Sequence, residues 1–500
     1  MNQSMQNYPE ILNNNLQTMF DVQQQAYLSD MLPSLDERKK ALLQLHLMLR
    51  ENEAELIKAV NRDYGCRSAF ETRFAEVFLA CEAALDAVKQ LKKWLKPQRR
   101  KLDPLQYPFA RAWTFPQPVG VVGIIVPWNF PIAMAFQPLI GAFAAGNRAM
   151  VKMSCNSRHL ALLLREISPR YFSEDKLVFL ADDPQDNWPS LEVWHDPQNV
   201  QAAQGLGPAF SRLAWNHLFF TGSAATGRAV MANAAPHLTP VTLELGGKSP
   251  AVITEYFPVK LAAERILWAK MLNAGQICTN VDYLFLQQPM LEAFIESAKA
   301  WCLAHYPDLN NGDYSAIIDD KSWHRLQRLI QDAEAKGATL VPIYQGPAAN
   351  TVRRIMAPCL LLNVTDDMLI MQQEIFGPLL PIKLYSKPQD VLTYINSKPR
   401  PLAFYIFSNN KPLQQLYLNN SISGGVGINE AVVQAGLHHL PFGGTGESGM
   451  GHYHGYEGFL TFSKLRPVFK QGIFRGLDFL QPPYLSVPTQ LLNLLFKLKA

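Results

Sequence analysis

Two residues in this chain have the types and settings for covalent chemistry. Cys278 stands in Asn273-Ala274-Gly275-Gln276-Ile277-Cys278-Thr279-Asn280, and Glu244 stands 34 residues upstream in Leu243-Glu244-Leu245-Gly246-Gly247-Lys248-Ser249-Pro250. A thiol can attack an electrophilic carbon, and a carboxylate can move the proton that a second nucleophile must lose. The glycines and Ala274 around both residues let backbone and substrate approach closely. Asn129, in Pro127-Trp128-Asn129-Phe130-Pro131, adds an amide that would donate to an oxyanion beside the sulfur. The same residue also suits an Asx-turn before proline.

A second group of residues suits a phosphate-bearing ligand. No G-x-G-x-x-G follows a strand. Instead, Phe220-Thr221-Gly222-Ser223-Ala224-Ala225-Thr226-Gly227 reads as strand, turn and helix start. Free N–H groups at a helix start bind phosphate, Gly222 permits close approach, and Ser223 adds a hydroxyl. A plain capped helix would read the same way. Lys152, at the end of a predicted strand, has the reach to bond ribose hydroxyls.

These residues need a scaffold. Val119 to Val126 is a short, nearly continuous apolar run stopped by Pro127, which suits a strand buried on both faces. Pro131 to Ala145 reads as an apolar helix with proline in its first turn. Ala149 to Met153 reads as a strand, Arg158 to Ile167 as a helix, 218–222 and 241–245 as strands, and 223–233 as a helix. The alternation predicts a doubly wound α/β sheet with right-handed crossovers. Helices are predicted over 35–64 and 71–95. Pro104 to Gln117 reads as a hairpin or linker, and the polar 181–209 stretch as an inserted loop. From about 470 the chain reads as an apolar arm with basic residues at its end.

Composition narrows the function. In 500 residues, 46 basic side chains face 42 acidic ones, a balance that argues against nucleic acid. Six cysteines without a C-x-x-C pair suggest a reducing compartment. Residues 1–29 lack the apolar region of a secretory signal, and no run reaches membrane-spanning length. The cytoplasm is the expected location. For the C-terminal arm, docking on the protein's own surface is the plain reading and weak peripheral membrane contact the sharper one.

Six ordered motifs together resemble the aldehyde dehydrogenase superfamily: PWNFP at 127–131, FTGS at 220–223, LELGGKSP at 243–250, GQIC at 275–278, EIFGP at 374–378 and PFGGTGESGMG at 441–451. The resemblance covers roughly residues 30–468. Gly65-Cys66-Arg67-Ser68, Pro401-Leu402-Ala403 and Gly451-His452-Tyr453-His454-Gly455 make the chain most similar to the class 3 branch, and within it to members acting on coniferyl aldehyde.

The resemblance implies oxidation of an aldehyde to a carboxylic acid with NAD, through a thiohemiacetal and a thioester on Cys278. Glu244 is then the general base and Asn129 the oxyanion donor. Trp128, Lys152, Gly222, Ser223, Gly246, Glu374 and Phe376 are the implied cofactor contacts: Lys152 at the adenosine ribose, Ser223 at the pyrophosphate, Glu374 at the nicotinamide ribose, and Phe376 and Gly246 near the nicotinamide. No metal is implied. The implied fold has a Rossmann-like NAD(P)-binding domain at 1–245, with an oligomerisation hairpin about 104–118. A catalytic α/β domain follows at 246–440, then a C-terminal segment and arm at 441–500 that pairs subunits or flanks the substrate entrance. The implied assembly is a homodimer.

Some residues depart from the pattern. Met153-Ser154-Cys155 follows Lys152 where the family usually has Pro-Ser-Glu, so the acid that would repel a 2′-phosphate is missing and NADP stays open. The interval from Lys152 to Ser223 is longer than usual. Thr279-Asn280-Val281 replaces a small residue and proline after the cysteine. Two other readings compete: CoA in place of water as the acyl acceptor, and a catalytically silent binding protein. Retention of Cys278, Glu244, Asn129 and Glu374 argues against the second.

Overall fold

A computed structural model describes residues 8–104, 106–181, 205–475, 477–478, 481–482, 484 and 486–499. Most of the polar stretch read as an insertion lies outside them.

The apolar run near 120 forms the strand Val121–Ile125, buried at every position, at the centre of a six-stranded sheet. Its neighbours are His217–Gly222 on one side and Arg148–Lys152 on the other, all parallel. Val241–Leu245 and Leu177–Leu180 flank these, again parallel. The two-residue strand Gly449–Met450 closes the edge antiparallel, with Gly449 opposite Glu244. Glycine suits that place, because a Cβ at 449 would lie 2.2 Å from the Leu243 carbonyl oxygen. The helices Pro131–Ala145, Arg158–Ile167 and Ala224–Ala234 connect the strands, as the alternation predicts.

A second sheet has seven strands. Pro250–Ile253, Tyr283–Leu286, Leu379–Leu384, Ala403–Phe407 and Gly425–Ile428 run parallel with Cys359–Leu362, and Thr339–Pro342 adds an antiparallel edge. Its core is a large apolar cluster that includes Leu284, Phe285, Tyr405 and Ile406.

Two expectations are corrected. The predicted helix over 35–64 is two helices, Leu35–Glu51 and Glu53–Tyr64, broken at Asn52, whose side chain turns back to the Met48 carbonyl (2.8 Å). The predicted helix over 71–95 carries a π-helical stretch, Arg73–Phe78, between Ala69–Thr72 and Leu79–Trp94. The stretch read as a hairpin or linker carries the strand Arg111–Pro118, which pairs antiparallel with the preceding Gln98–Arg100 and lies at the centre of a three-stranded sheet completed by the distant Ser463–Lys470.

The C-terminal arm carries a helix, Ser486–Lys499, with Val487, Leu494 and Phe496 exposed. Among the described residues, no helix is long and apolar enough to cross a membrane. Phe474 packs against Phe109, and neither Phe474 nor Tyr484 lines the substrate-sized cavity described below; Phe479 lies outside the described residues.

Candidate active site

Cys278 sits where two cavities meet. One, of about 340 Å³, is lined by Trp128, Asn129, Gly222, Ser223, Glu244, Gly246, Glu374 and Phe376 as well as Cys278. Nine of the ten residues singled out in the sequence therefore share one cleft. Lys152 is outside its lining, buried at the end of the Arg148–Lys152 strand. The other cavity, of about 310 Å³, is apolar and also reaches Cys278, with Phe74, Leu79, Phe130, Trp268, Ile277 and Leu437 in its walls. Met134 borders both.

The segment that delivers the thiol is conformationally unusual. Asn273, Ala274 and Gly275 are all left-handed, with φ of 51°, 49° and 77°. A Cβ on residue 275 would lie 2.3 Å from the Gly377 carbonyl oxygen, so glycine is required for this loop to pack on the loop after Glu374. Burial, followed by the nearby Glu374 and Glu244 carboxylates, pushes the Cys278 thiol up to about 12. The resting sulfur is thus protonated at neutral pH.

Glu244 is buried on the Val241–Leu245 strand, and neither carboxylate oxygen has a hydrogen-bond partner. Burial raises its carboxyl well above the ordinary range, and the nearby Gly444 backbone N–H opposes this only in part. A carboxyl with raised pKa is a stronger base once ionised, which suits proton transfer from water.

Asn129 is buried, and its Nδ2 donates to the Gln276 carbonyl (3.2 Å). One of its two amide protons remains for a ligand. Ser223 caps the Ala224–Ala234 helix by accepting from the Thr226 N–H. Trp128 meets Phe376 edge to face, with ring centroids 5.4 Å apart.

Glu374 is held from both sides by residues the sequence reading did not single out. Arg325 donates to the carbonyls of Glu374 (3.1 Å) and Ile375 (2.6 Å). Asp282 accepts the Ile375 N–H (2.8 Å) and pairs with Lys248, which also donates to the Ile370 and Gln373 carbonyls. Burial, then the Asp282 charge, pushes the Glu374 carboxyl up to about 8. Its Oε1 is buried without a partner, and a Cβ on residue 246 would lie 2.1 Å from Oε2. An orphaned acceptor over a bare glycine fits a ligand that brings hydroxyl donors, as a nucleotide ribose does.

Sequence reasoning also missed a buried polar cluster beneath Asn129. Arg67 is fully buried, donates through Nη1 to the Asn129 carbonyl (2.9 Å) and to Asn273 Oδ1 (2.6 Å), and lies 3.5 Å from Glu76 and 3.8 Å from Glu71. Glu76 accepts from the Ile132 and Ala133 N–H groups and so caps the Pro131–Ala145 helix. The signal in the sequence was Arg67 followed by glutamates four and nine residues on.

Among the described residues no cluster of metal-binding side chains occurs. The six cysteines are all free. Cys66, Cys81 and Cys302 are buried, as expected for small hydrophobic side chains, whereas Cys155 is exposed.

Two α/β sheets with a thiol, a carboxylate and a phosphate-suited helix start in the cleft define an NAD(P)-dependent oxidoreductase of the aldehyde dehydrogenase family, to which the chain belongs: the family profile matches residues 4–174 and 207–468. The interruption at 175–206 overlaps the stretch read as an insertion. The chain is 43% identical over 472 residues to a probable coniferyl aldehyde dehydrogenase of Pseudomonas aeruginosa, covering 94% of each. It is 39% identical over 461 residues to the coniferyl aldehyde dehydrogenase of a Pseudomonas species, covering 91% of each. In fold it is similar to the substrate-bound state of Staphylococcus aureus AldH, at a TM-score of 0.85 and 29% identity, covering 96% of this chain and 99% of the other.

Proposed function

We propose that the substrate is an apolar aromatic aldehyde of the coniferyl aldehyde type, oxidised to its acid with NAD or NADP. The observation that carries this reading is the position of Cys278, which lines both an apolar cavity and the cleft that holds Glu244 and Asn129. The names of the two Pseudomonas relatives support it.

In this reading the aldehyde enters through the apolar cavity, the Cys278 thiol gives its proton to the Glu244 carboxylate, which passes it to solvent, and Sγ adds to the carbonyl carbon. The Asn129 side chain and the Cys278 backbone N–H donate to the oxygen that becomes an oxyanion. Trp128, Ser223, Gly246, Glu374 and Phe376 would hold the nicotinamide cofactor, and Lys152 would bond its adenosine ribose. When bound, the nicotinamide supplies the acceptor for the hydride that leaves the substrate carbon. Cys278 then carries the acyl group as a thioester, and Glu244 takes a proton from the water that attacks it.

The test compares two variants. Cys278→Ala should lose dehydrogenase and esterase activity. Glu244→Gln should keep the pre-steady-state burst of reduced cofactor and slow the turnover after it. Normal turnover in folded Cys278→Ala, or undiminished turnover in Glu244→Gln, would count against the assignment. Acid release without CoA separates this reading from an acylating dehydrogenase.

The proposed setting is a cytoplasmic homodimer. Free cysteines support a reducing compartment. The exposed edge strand Ser463–Lys470, with Phe469 half exposed, supports pairing with a second copy.

A further inference from the structure

The two proposed oxyanion donors come from separate segments. Asn129 ends one loop, and the Cys278 N–H belongs to another that follows Gln276, 147 positions further along the chain. A misplacement of about 1 Å at such a site costs on the order of 10²-fold in rate. Something must therefore hold the two segments in register, and they meet directly through the Asn129–Gln276 and Asn273–Asn129 hydrogen bonds.

We propose that Arg67 is a positioning residue for this reaction. Together with Asn273, it clamps the Asn129 loop to the Cys278 loop, so that two donors face one oxygen. The inference rests on the assignment of Asn129 and the Cys278 N–H as donors.

The Asn129 carbonyl accepts from Arg67 Nη1 (2.9 Å), Tyr64 OH (3.0 Å) and Asn273 Nδ2 (3.0 Å). The same Arg67 nitrogen donates to Asn273 Oδ1, and Asn273 Nδ2 also reaches the Gln276 carbonyl (3.1 Å). Asn273 opens the left-handed run that leads to the nucleophile, a conformation that persists only where surroundings over-determine it. The two glutamates extend the clamp. Glu71 accepts the Asn273 N–H (3.1 Å), and Glu76 caps the helix that begins two residues after Asn129. Buried ion clusters are weak contributors to stability compared with apolar packing of the same volume. What this cluster supplies is geometry.

Two reactions of the same sulfur separate positioning from general damage. Acylation of Cys278 by a p-nitrophenyl ester passes through an oxyanion, whereas alkylation by iodoacetamide displaces iodide at a saturated carbon and forms none. Neither needs a nicotinamide. In Arg67→Lys the ester burst should fall on the order of 10²-fold, while Cys278 alkylation, followed on its own peptide by mass spectrometry, stays within about threefold. Asn273→Gly should give the same split, because glycine tolerates the positive φ and the ion cluster stays whole. It decides the matter if Arg67→Lys does not fold. Equal losses in both reactions, or an undiminished ester burst, would overturn the proposal. A wild-type ester burst that survives Cys278→Ala would instead overturn the nucleophile assignment.

Discussion

Gly246→Ala separates cofactor binding from folding. The added methyl would lie 2.1 Å from Glu374 Oε2, 2.5 Å from Oε1 and 2.6 Å from the carboxyl carbon. Non-bonded heavy atoms settle at about 3.5–4.0 Å, so the carboxyl must retreat by roughly 1 Å or more. It is the free end of a flexible side chain, while its backbone stays anchored by Arg325 and Asp282. The fold should therefore lose little, roughly 1 kcal/mol or less for an off-rotamer side chain. Binding should lose much more. At about pH 9, where the Glu374 carboxyl raised to about 8 is ionised, a hydrogen bond to the charged group contributes about 1.5–3 kcal/mol, so loss of one ribose contact raises Kd roughly 10- to 150-fold. Titration of intrinsic fluorescence, with Trp128 in the cleft wall, reads the affinity, and a thermal melt reads stability. Glu374→Gln should give a similar loss of affinity with an unchanged melt. An unaltered cofactor Kd in Gly246→Ala would refute the argument that Glu374 is the ligand contact.

Three other outcomes are expected. Because the resting Cys278 thiol lies near 12, iodoacetamide alkylation of the free enzyme should rise about tenfold per pH unit from 8 to 10.5 with no plateau, and a plateau near pH 8 would contradict it. Cys155→Glu, at an exposed position, should lower the kcat/KM for NADP relative to NAD by about tenfold, the scale of one charged contact; an unchanged ratio would place the selectivity elsewhere. Phe74→Ala, in the wall of the apolar cavity, should raise KM for cinnamaldehyde-type substrates by about 3- to 10-fold while leaving acetaldehyde within about twofold, and equal effects on both would show that the ring does not meet substrate.

Four of the six strands of the first sheet were legible as short apolar runs, as in Val121–Ile125 before Pro127, while Leu177–Leu180 and Gly449–Met450 were not. Helices were legible where periodicity had clear ends, as in Arg158–Ile167. Asn52 escaped notice because the apolar spacing continues across it, and the break is made by one side-chain hydrogen bond. Pairing of Arg111–Pro118 with Ser463–Lys470 was hidden for a different reason: antiparallel partners so far apart leave no local pattern. In the site, Cys278 and Glu244 announced themselves through their small-residue settings. Arg325 and Arg67 did not, since each acts by gripping backbone carbonyls, and a carbonyl has no letter in the sequence.

The short strand Gly449–Met450 bears on when the Glu244 edge of the first sheet is completed. It docks beside Glu244, and the Leu245 N–H donates to the Ser448 carbonyl, so the surroundings of Glu244 are completed by residues made some two hundred positions later. Between them the chain must build the whole seven-stranded sheet. A nascent polypeptide that already contains both Glu244 and Cys278 still lacks the strand that pairs with the Glu244 strand. Emergence of the segment near 449 from the ribosome is thus the earliest moment at which this edge of the sheet can close.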